Sequence, residues 1–351
     1  MYKEIRPGKV WFDIEGKRIQ AHGGGIIYAD GIYYWYGENK EGITGRATGE
    51  KCPFWHNGVR LYSSFDLYNW KDLGVILVDN KDEFSPFNPK NIMDRPHILY
   101  NSKTKKYVLW VKASVSGSFD DAFFCVASAE NIKGPYTVHG WVKNDVSVGD
   151  FDIIVDNGKA YCIYEKPHTE MICAELTDDY LGFNGVRSFH LGQKSPPFVR
   201  EAPAFFKHGE RKFLLTSGTT GYYPNPTKLH EIKDFHGKWK DLGTVCKGDR
   251  KSNSFHAQFS SVFKHPFVKD LFIAIGDRWL TDLTEDMPNI MSVFEGIFNK
   301  KKSEIVSSAE LKTFSDENTS EANYVWLPIY FGKRDKPFIK WCRTWNIDNK
   351  K

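Results

Sequence analysis

HGGGIIYADGIYYWYGE, residues 22–38, sets a polar residue, a strand, a two-residue turn and an aromatic-rich second strand in that order. The pattern returns at DRPHILYNSKTKKYVLWV (94–111), DFDIIVDNGKAYCIYE (150–165), EAPAFFKHGERKFLLTSG (201–218) and QFSSVFKHPFVKDLFIAIGD (258–277). In each, the lead residue precedes the aromatic opening the second strand (Tyr33, Tyr107, Tyr161, Phe213, Phe272) by 11 to 14 positions. Asp30-Gly31, Asn157-Gly158 and His208-Gly209 fall between apolar runs. Asp-Gly and Asn-Gly pairs accept the left-handed conformations that tight hairpin turns require. Five hairpin-led units, spaced by roughly fifty to seventy residues, read as the blades of an all-β five-bladed propeller. Equivalent positions of propeller blades converge on one axis. His22, Asp94, Asp150, Glu201 and Gln258 are therefore expected to meet in one pocket.

The 351 residues are enough for a sizeable core, and large all-β folds of this length commonly form one domain, so residues 1–351 are read as a single propeller. Aromatics make up 15% of the chain, which suits strand packing and also the stacking of rings on sugar C–H faces. The 48 basic and 44 acidic residues are interspersed, apart from a short Lys run at 300–302. That distribution lacks the basic footprint of a nucleic-acid binder. The six cysteines show no CxxC spacing and the histidines no HxH or HxxxH spacing, so no metal or other cofactor is expected. No apolar run reaches membrane-span length. The opening MYKEIRPGKV has no hydrophobic signal region, so the chain as written reads as cytoplasmic, and as secreted or periplasmic if a leader has been removed.

Outer strands are expected within 63–77, 133–141 and 236–245, where a turn, an aromatic and a strand pattern follow one another. Residues 40–58 read as a long loop of the first blade at the pocket rim. Residues 285–300 fit either a short helix or a strand. The N-terminal KVWFD (9–13) is expected to pair with PFIKWCRTW (337–345) and close the ring, removing exposed sheet edges.

Carboxyl pairs cut glycosidic bonds: one protonates the leaving oxygen, the other attacks or activates water. Asp94, Asp150 and Glu201 are the axial candidates, and crowded carboxylates raise one another's proton affinity. Glu201, between Arg200 and an apolar strand, is the expected acid. His22 is either a pocket residue or a buried histidine hydrogen-bonded to backbone. Glu38 either holds sugar hydroxyls or is a paired structural carboxylate. GDRW (276–279) reads as a turn with an Asp277–Arg278 interaction.

IQAHGGGIIYADGIYYWYGENK, DLYNW, DRPHILYN, VDNGKAYCIY, REAPAFF, TSGTTGYYPNP, GDRW and YVWLP together resemble glycoside hydrolase family 43, most nearly its exo-β-1,3-galactanase branch. The matches run in order over nearly the whole chain. The resemblance implies a five-bladed propeller and an inverting, exo-acting or side-chain-removing glycosidase with an oligo- or polysaccharide substrate. It implies that Glu201 is the general acid and Asp150 the carboxylate that orients it and tunes its pKa. The family's usual aspartate base, in an Ala-Asp-Pro context, is replaced here by Ala21-His22-Gly23. Gln258 matches the glutamine proposed in the galactanase branch to activate water. Thr219 and Glu38 match substrate-contacting positions, and Tyr222 shares the Thr219 loop. Asp94 stands where that branch has glutamate, Phe119 where a sugar-binding tyrosine is expected, and Lys112 where a histidine is frequent. The expected reaction is release of galactose from β-1,3-galactan or related β-galactosides. The rivals are an α-L-arabinofuranosidase or β-xylosidase of the same family, and a non-catalytic carbohydrate-binding propeller.

Overall fold

A computed structural model describes residues 1–45, 52–78, 80–82, 85–115, 121–283, 290–299 and 318–350. The five repeats are five antiparallel sheets of four strands, the fifth extended by the short parallel strand Cys246–Lys247. Their inner strands are His22–Ala29, Ile92–Asn101, Phe151–Asp156, Arg200–His208 and Gln258–Lys264. Each lies against the next around the ring, and the first lies against the last. The expected second strands follow, for example Ile32–Glu38 and Lys159–Lys166. Outer strands occupy Lys71–Leu77, Thr137–Trp141 and Lys240–Thr244, within the three expected segments. Asp30 and Asn157 adopt φ of 51° at their hairpin turns, the conformation that makes Asp-Gly and Asn-Gly informative in sequence.

The aromatic enrichment is spent mainly on seams between blades. Trp35, Trp70 and Trp326 are fully buried, and Trp11 meets Trp326 at 4.9 Å and Trp35 at 5.7 Å between ring centroids. These contacts, tilted on Trp35 and edge-on to Trp326, tie the first blade to the fifth. Ring closure differs from the expected pairing. Residues 9–13 contribute Trp11 as a packing wedge and do not pair with 337–345. Ile5 instead bridges Trp345 through backbone bonds of 2.8 and 3.1 Å, while Pro337–Lys340 completes the fifth sheet. The reason is geometric: residue 11 is needed to fill the apolar space under the seam, so an earlier residue reaches the chain end.

Three inner strands break register directly after their lead position, His22, Asp94 and Glu201, and the fifth does so one residue later, after Phe259. At three of these bulges the next residue is left-handed: Gly23 (φ 61°), Arg95 (φ 53°) and Ala202 (φ 47°). A bulge twists a strand and re-aims its side chains. For Arg95 and Ala202 the conformation costs about 1–2 kcal/mol, which surrounding contacts must offset. At Gly23 a Cβ would collide with the Glu38 carboxylate, so only glycine fits.

The ambiguous stretch near the end resolves as a helix, Ile290–Asn299. Ile290, Val293 and Phe294 form its buried face against Tyr223, Trp279 and Leu280. This spacing is helical, not alternating.

Candidate active site

The axis opens into a cavity of about 340 Å³ lined by Glu38, Asp94, Asp150, Glu201, Thr219, Tyr222 and Gln258 among others. Seven of the nine residues singled out from sequence thus share one wall. Phe119 lies outside the described residues. His22 is the correction: it is 0% exposed and absent from the cavity wall. Its Nδ1 sits 2.8 Å from Asp277 Oδ1, its Nε2 3.1 Å from Gln20 Oε1, and its ring stacks on Tyr324 at 4.8 Å. The partners are side chains, not the expected backbone. Asp277 likewise serves His22 and the Gly23 N–H, while Arg278 turns to the carbonyls of Phe255 and His256. The expected Asp277–Arg278 interaction therefore gives way to two separate ones, because adjacent strand residues point to opposite faces.

Each lead residue is partnered across its hairpin by a second-strand residue: His22 by Glu38, Asp94 by Lys112, Glu201 by Ser217 and Gln258 by Asp277. In the third blade the Glu165 N–H donates to the Asp150 carbonyl at 2.9 Å. Lys112 and Glu165 join the cavity wall. Sequence reasoning did not assign Glu165 or Arg95 a role. The available signal was register: Glu38 and Glu165 both close aromatic second strands, opposite a lead residue.

Two buried cations organise the carboxylates. Lys112 Nζ lies 3.0 Å from both Asp94 Oδ1 and Asp150 Oδ1. Arg95 Nη2 lies 2.8 Å from Asp150 Oδ2 and donates to Gln258 Oε1 at 2.6 Å, and the Arg95 backbone N–H donates to Glu38 Oε1 at 3.0 Å. Glu38 is further paired with Lys40 at 2.9 Å. Burial alone would raise Asp150, but Arg95 and Lys112 outweigh it and hold the carboxyl below the usual range. Burial pushes Asp94 up to about 6 against the pull of Lys112, and Glu165 up to about 7 with help from Asp150. Glu201 is raised well above its ordinary value, first by burial and then by Asp150 and Glu165. The neighbouring Arg200 plays no direct part: its guanidinium bonds Thr216 and the Pro226 carbonyl on the other face of the strand.

Gln258 is held at both ends. Its Oε1 accepts from Arg95 and, at 3.2 Å, from Trp279 Nε1. Guanidinium and indole can only donate, so the carbonyl end must face them. The Nε2 end therefore donates to Glu201 Oε1 and Ser217 Oγ, each at 3.0 Å. With Oε1 of Glu201 engaged as an acceptor, a proton on this carboxyl belongs on Oε2. The contact also leaves no space between Glu201 and Gln258 for a water. The two working groups of an inverting glycosidase stand about 6.5–9.5 Å apart. Gln258 consequently sits beside Glu201 in this structure, in direct contact with it.

Thr219 Oγ1 donates to the Val199 carbonyl at 3.1 Å, which leaves its oxygen as an acceptor. Tyr222 packs on Trp279 at 5.1 Å between centroids. Of the segment 40–58 expected at the rim, residues 46–51 lie outside the described residues, and Trp55 lines the cavity.

The architecture has close counterparts among solved structures. A family 43 β-1,3-galactosidase, BT0265, is 30% identical with a TM-score of 0.80 over 100% of this chain, which spans 65% of that protein. A second family 43 β-1,3-galactosidase, BT3683, solved with galactodeoxynojirimycin, is 28% identical with a TM-score of 0.79, covering 98% of this chain and 100% of its own. An exo-β-1,3-galactanase from Phanerochaete chrysosporium, solved with β-1,3-galactotriose, shares the fold at 23% identity and a TM-score of 0.75, over 99% of this chain and 68% of its own. A search of curated protein sequences found no significant match. The sequence profile described as glycosyl hydrolases family 43 matches residues 21–263, a stretch that contains every axial lead residue. By that match and by its propeller, the chain belongs to glycosyl hydrolase family 43.

Proposed function

We propose that this protein is an inverting, exo-acting glycosidase that releases galactose from β-1,3-linked galactan. The observation that carries the reading is the placing of Glu201, whose proton affinity is raised by burial, on one cavity wall with an Asp150 held by Arg95 and Lys112. Two carboxyls whose environments push their pKa values apart are the usual mark of an acid and its electrostatic partner. Similarity to two β-1,3-galactosidases supports the choice of sugar and linkage. Glu201 Oε2 gives its proton to the glycosidic oxygen as the C1–O bond breaks. Water forms the new bond to C1 from the opposite face and loses its proton to Asp94. Asp94 stands on the second blade, separated from the Glu201 blade by the third, and its carboxyl at about 6 is ionised at neutral pH. Gln258 keeps Glu201 in place.

Product analysis tests the reading. Incubation with β-1,3-galactan should liberate galactose alone, first seen as the α-anomer by proton NMR. Arabinose from arabinan or xylose from xylo-oligosaccharides would replace the sugar assignment while keeping the acid. No product from any of the three would favour a binding propeller.

The same assignment fixes the pH profile. Asp94 must be ionised, so activity should fall as pH drops through about 6. Glu201 must be protonated, so activity should decline as pH rises through its raised pKa. A kcat/KM profile that shows no loss near the Asp94 value would remove Asp94 from the base role.

A further inference from the structure

The helix Ile290–Asn299 is carried by the segment joining two strands of the fifth blade, Phe272–Arg278 and Asn323–Phe331. It presents two phenylalanines to the cavity, and they differ in kind. Phe294 is 4% exposed and packs on Tyr223 at 5.9 Å, so it anchors the helix. Phe298, one turn on, is 38% exposed although it lines the same cavity. Its ring meets the His168 ring edge-on at 5.5 Å. His168 lies just past the second strand of the third blade, in a left-handed conformation (φ 59°), with its N–H donated to Glu165 Oε1 at 3.0 Å. The pair therefore joins the fifth blade's helix to the third blade's turn. The fourth blade, which carries Glu201, lies between them in ring order.

The cavity's chemistry divides accordingly. Its floor is made of carboxylates and the two cations, which suit hydroxyls. Phe298 offers a flat, half-wet hydrocarbon face at the rim, where a carboxyl-lined pocket has no electrostatic use for one. Galactose has an axial C4 hydroxyl, so its C3, C4 and C5 hydrogens lie on one face as a contiguous apolar patch. We propose that Phe298, steadied by His168, is the platform on which the leaving-side galactose of the substrate stacks, making it a specificity-determining residue. The proposal rests on the galactanase reading. The sugar that is hydrolysed occupies the carboxylate floor, and the sugar that departs covers the ring.

The test uses the full chain, two substrates and two variants. β-1,3-Galactobiose has a leaving-side sugar; β-galactosyl fluoride has none. Phe298→Leu keeps apolar bulk and helix packing but removes the flat ring, whereas Phe298→Trp enlarges it. Phe298→Leu should lower kcat/KM on galactobiose about tenfold, chiefly through KM, and leave the fluoride unchanged. Phe298→Trp should hold galactobiose near the wild-type value. Equal losses on both substrates, or no loss on galactobiose, would overturn the platform. A wild-type protein inert toward both substrates overturns the galactanase reading first, and the two failures are thereby distinguishable.

Discussion

Glu201→Gln is expected to lower kcat on β-1,3-galactobiose by at least about a hundredfold, the lower end of what a positioned acid contributes. The substitution keeps shape and hydrogen-bonding reach. Its amide oxygen still accepts from Gln258, whose N–H is held at 3.0 Å from Glu201 Oε1 in the parent. What it removes is the proton on Oε2. A sugar alkoxide is a poor leaving group without that proton, whereas fluoride leaves readily. The loss on β-galactosyl fluoride should accordingly be much smaller than on the disaccharide. Equal losses on both would mean that Glu201 positions the sugar and does not protonate the departing oxygen. Because burial and Asp150 already favour the neutral carboxyl in the parent, the amide is a close electrostatic match and the variant should fold with a melting temperature near the parent's.

Arg95→Met is expected to cost about 3–5 kcal/mol of stability at neutral pH, the scale for removing one partner from a buried ion pair. Arg95 is 6% exposed and its guanidinium joins Asp150 and Gln258, so two other blades lose their tie to the second, while the backbone N–H bond to Glu38 stays. The pH dependence carries the sign. In the parent, Asp150 is depressed, so its contribution is present above the unfolded carboxylate value and fades as pH falls. In the variant, Asp150 keeps only Lys112 as a counter-ion, and protonation relieves the buried charge. The difference between the two proteins should thus be largest near pH 7 and shrink toward about pH 4, as measured by urea midpoints. A deficit independent of pH would point to lost packing of the side-chain stem.

The propeller was legible because its determinants are local. Asp30-Gly31 and Asn157-Gly158 specify tight turns by backbone chemistry, and the alternation in the flanking runs places the strands. Convergence of Asp94, Asp150, Glu201 and Gln258 followed from repeat position alone. What stayed hidden depends on register and on tertiary contact. Lys112 and Glu165 take their places only once each second strand is aligned residue by residue with its inner strand. His22 shares the lead position, yet the bulge at Gly23 and the pull of Asp277 turn it away from the cavity. The orientation of Gln258 is set by Arg95 and Trp279, which approach from two other stretches of the chain. The helix at 290–299 carries apolar residues in a pattern too short to separate from a strand before its packing partners are known.

The inner strands of the first and last blades touch, although they lie at opposite ends of the chain. During synthesis on the ribosome, Arg95, Lys112 and Asp150 therefore emerge long before Gln258 and the seam that shuts them from water. Until then these charges are hydrated, and dehydration falls due in a single late event when the fifth blade docks. A nascent or clipped chain lacking that blade has no partly working pocket to inherit, because the amide that holds Glu201 and the wall that excludes solvent arrive together. The hydrolysis proposed here accordingly requires the closed circle, and product release would report that closure.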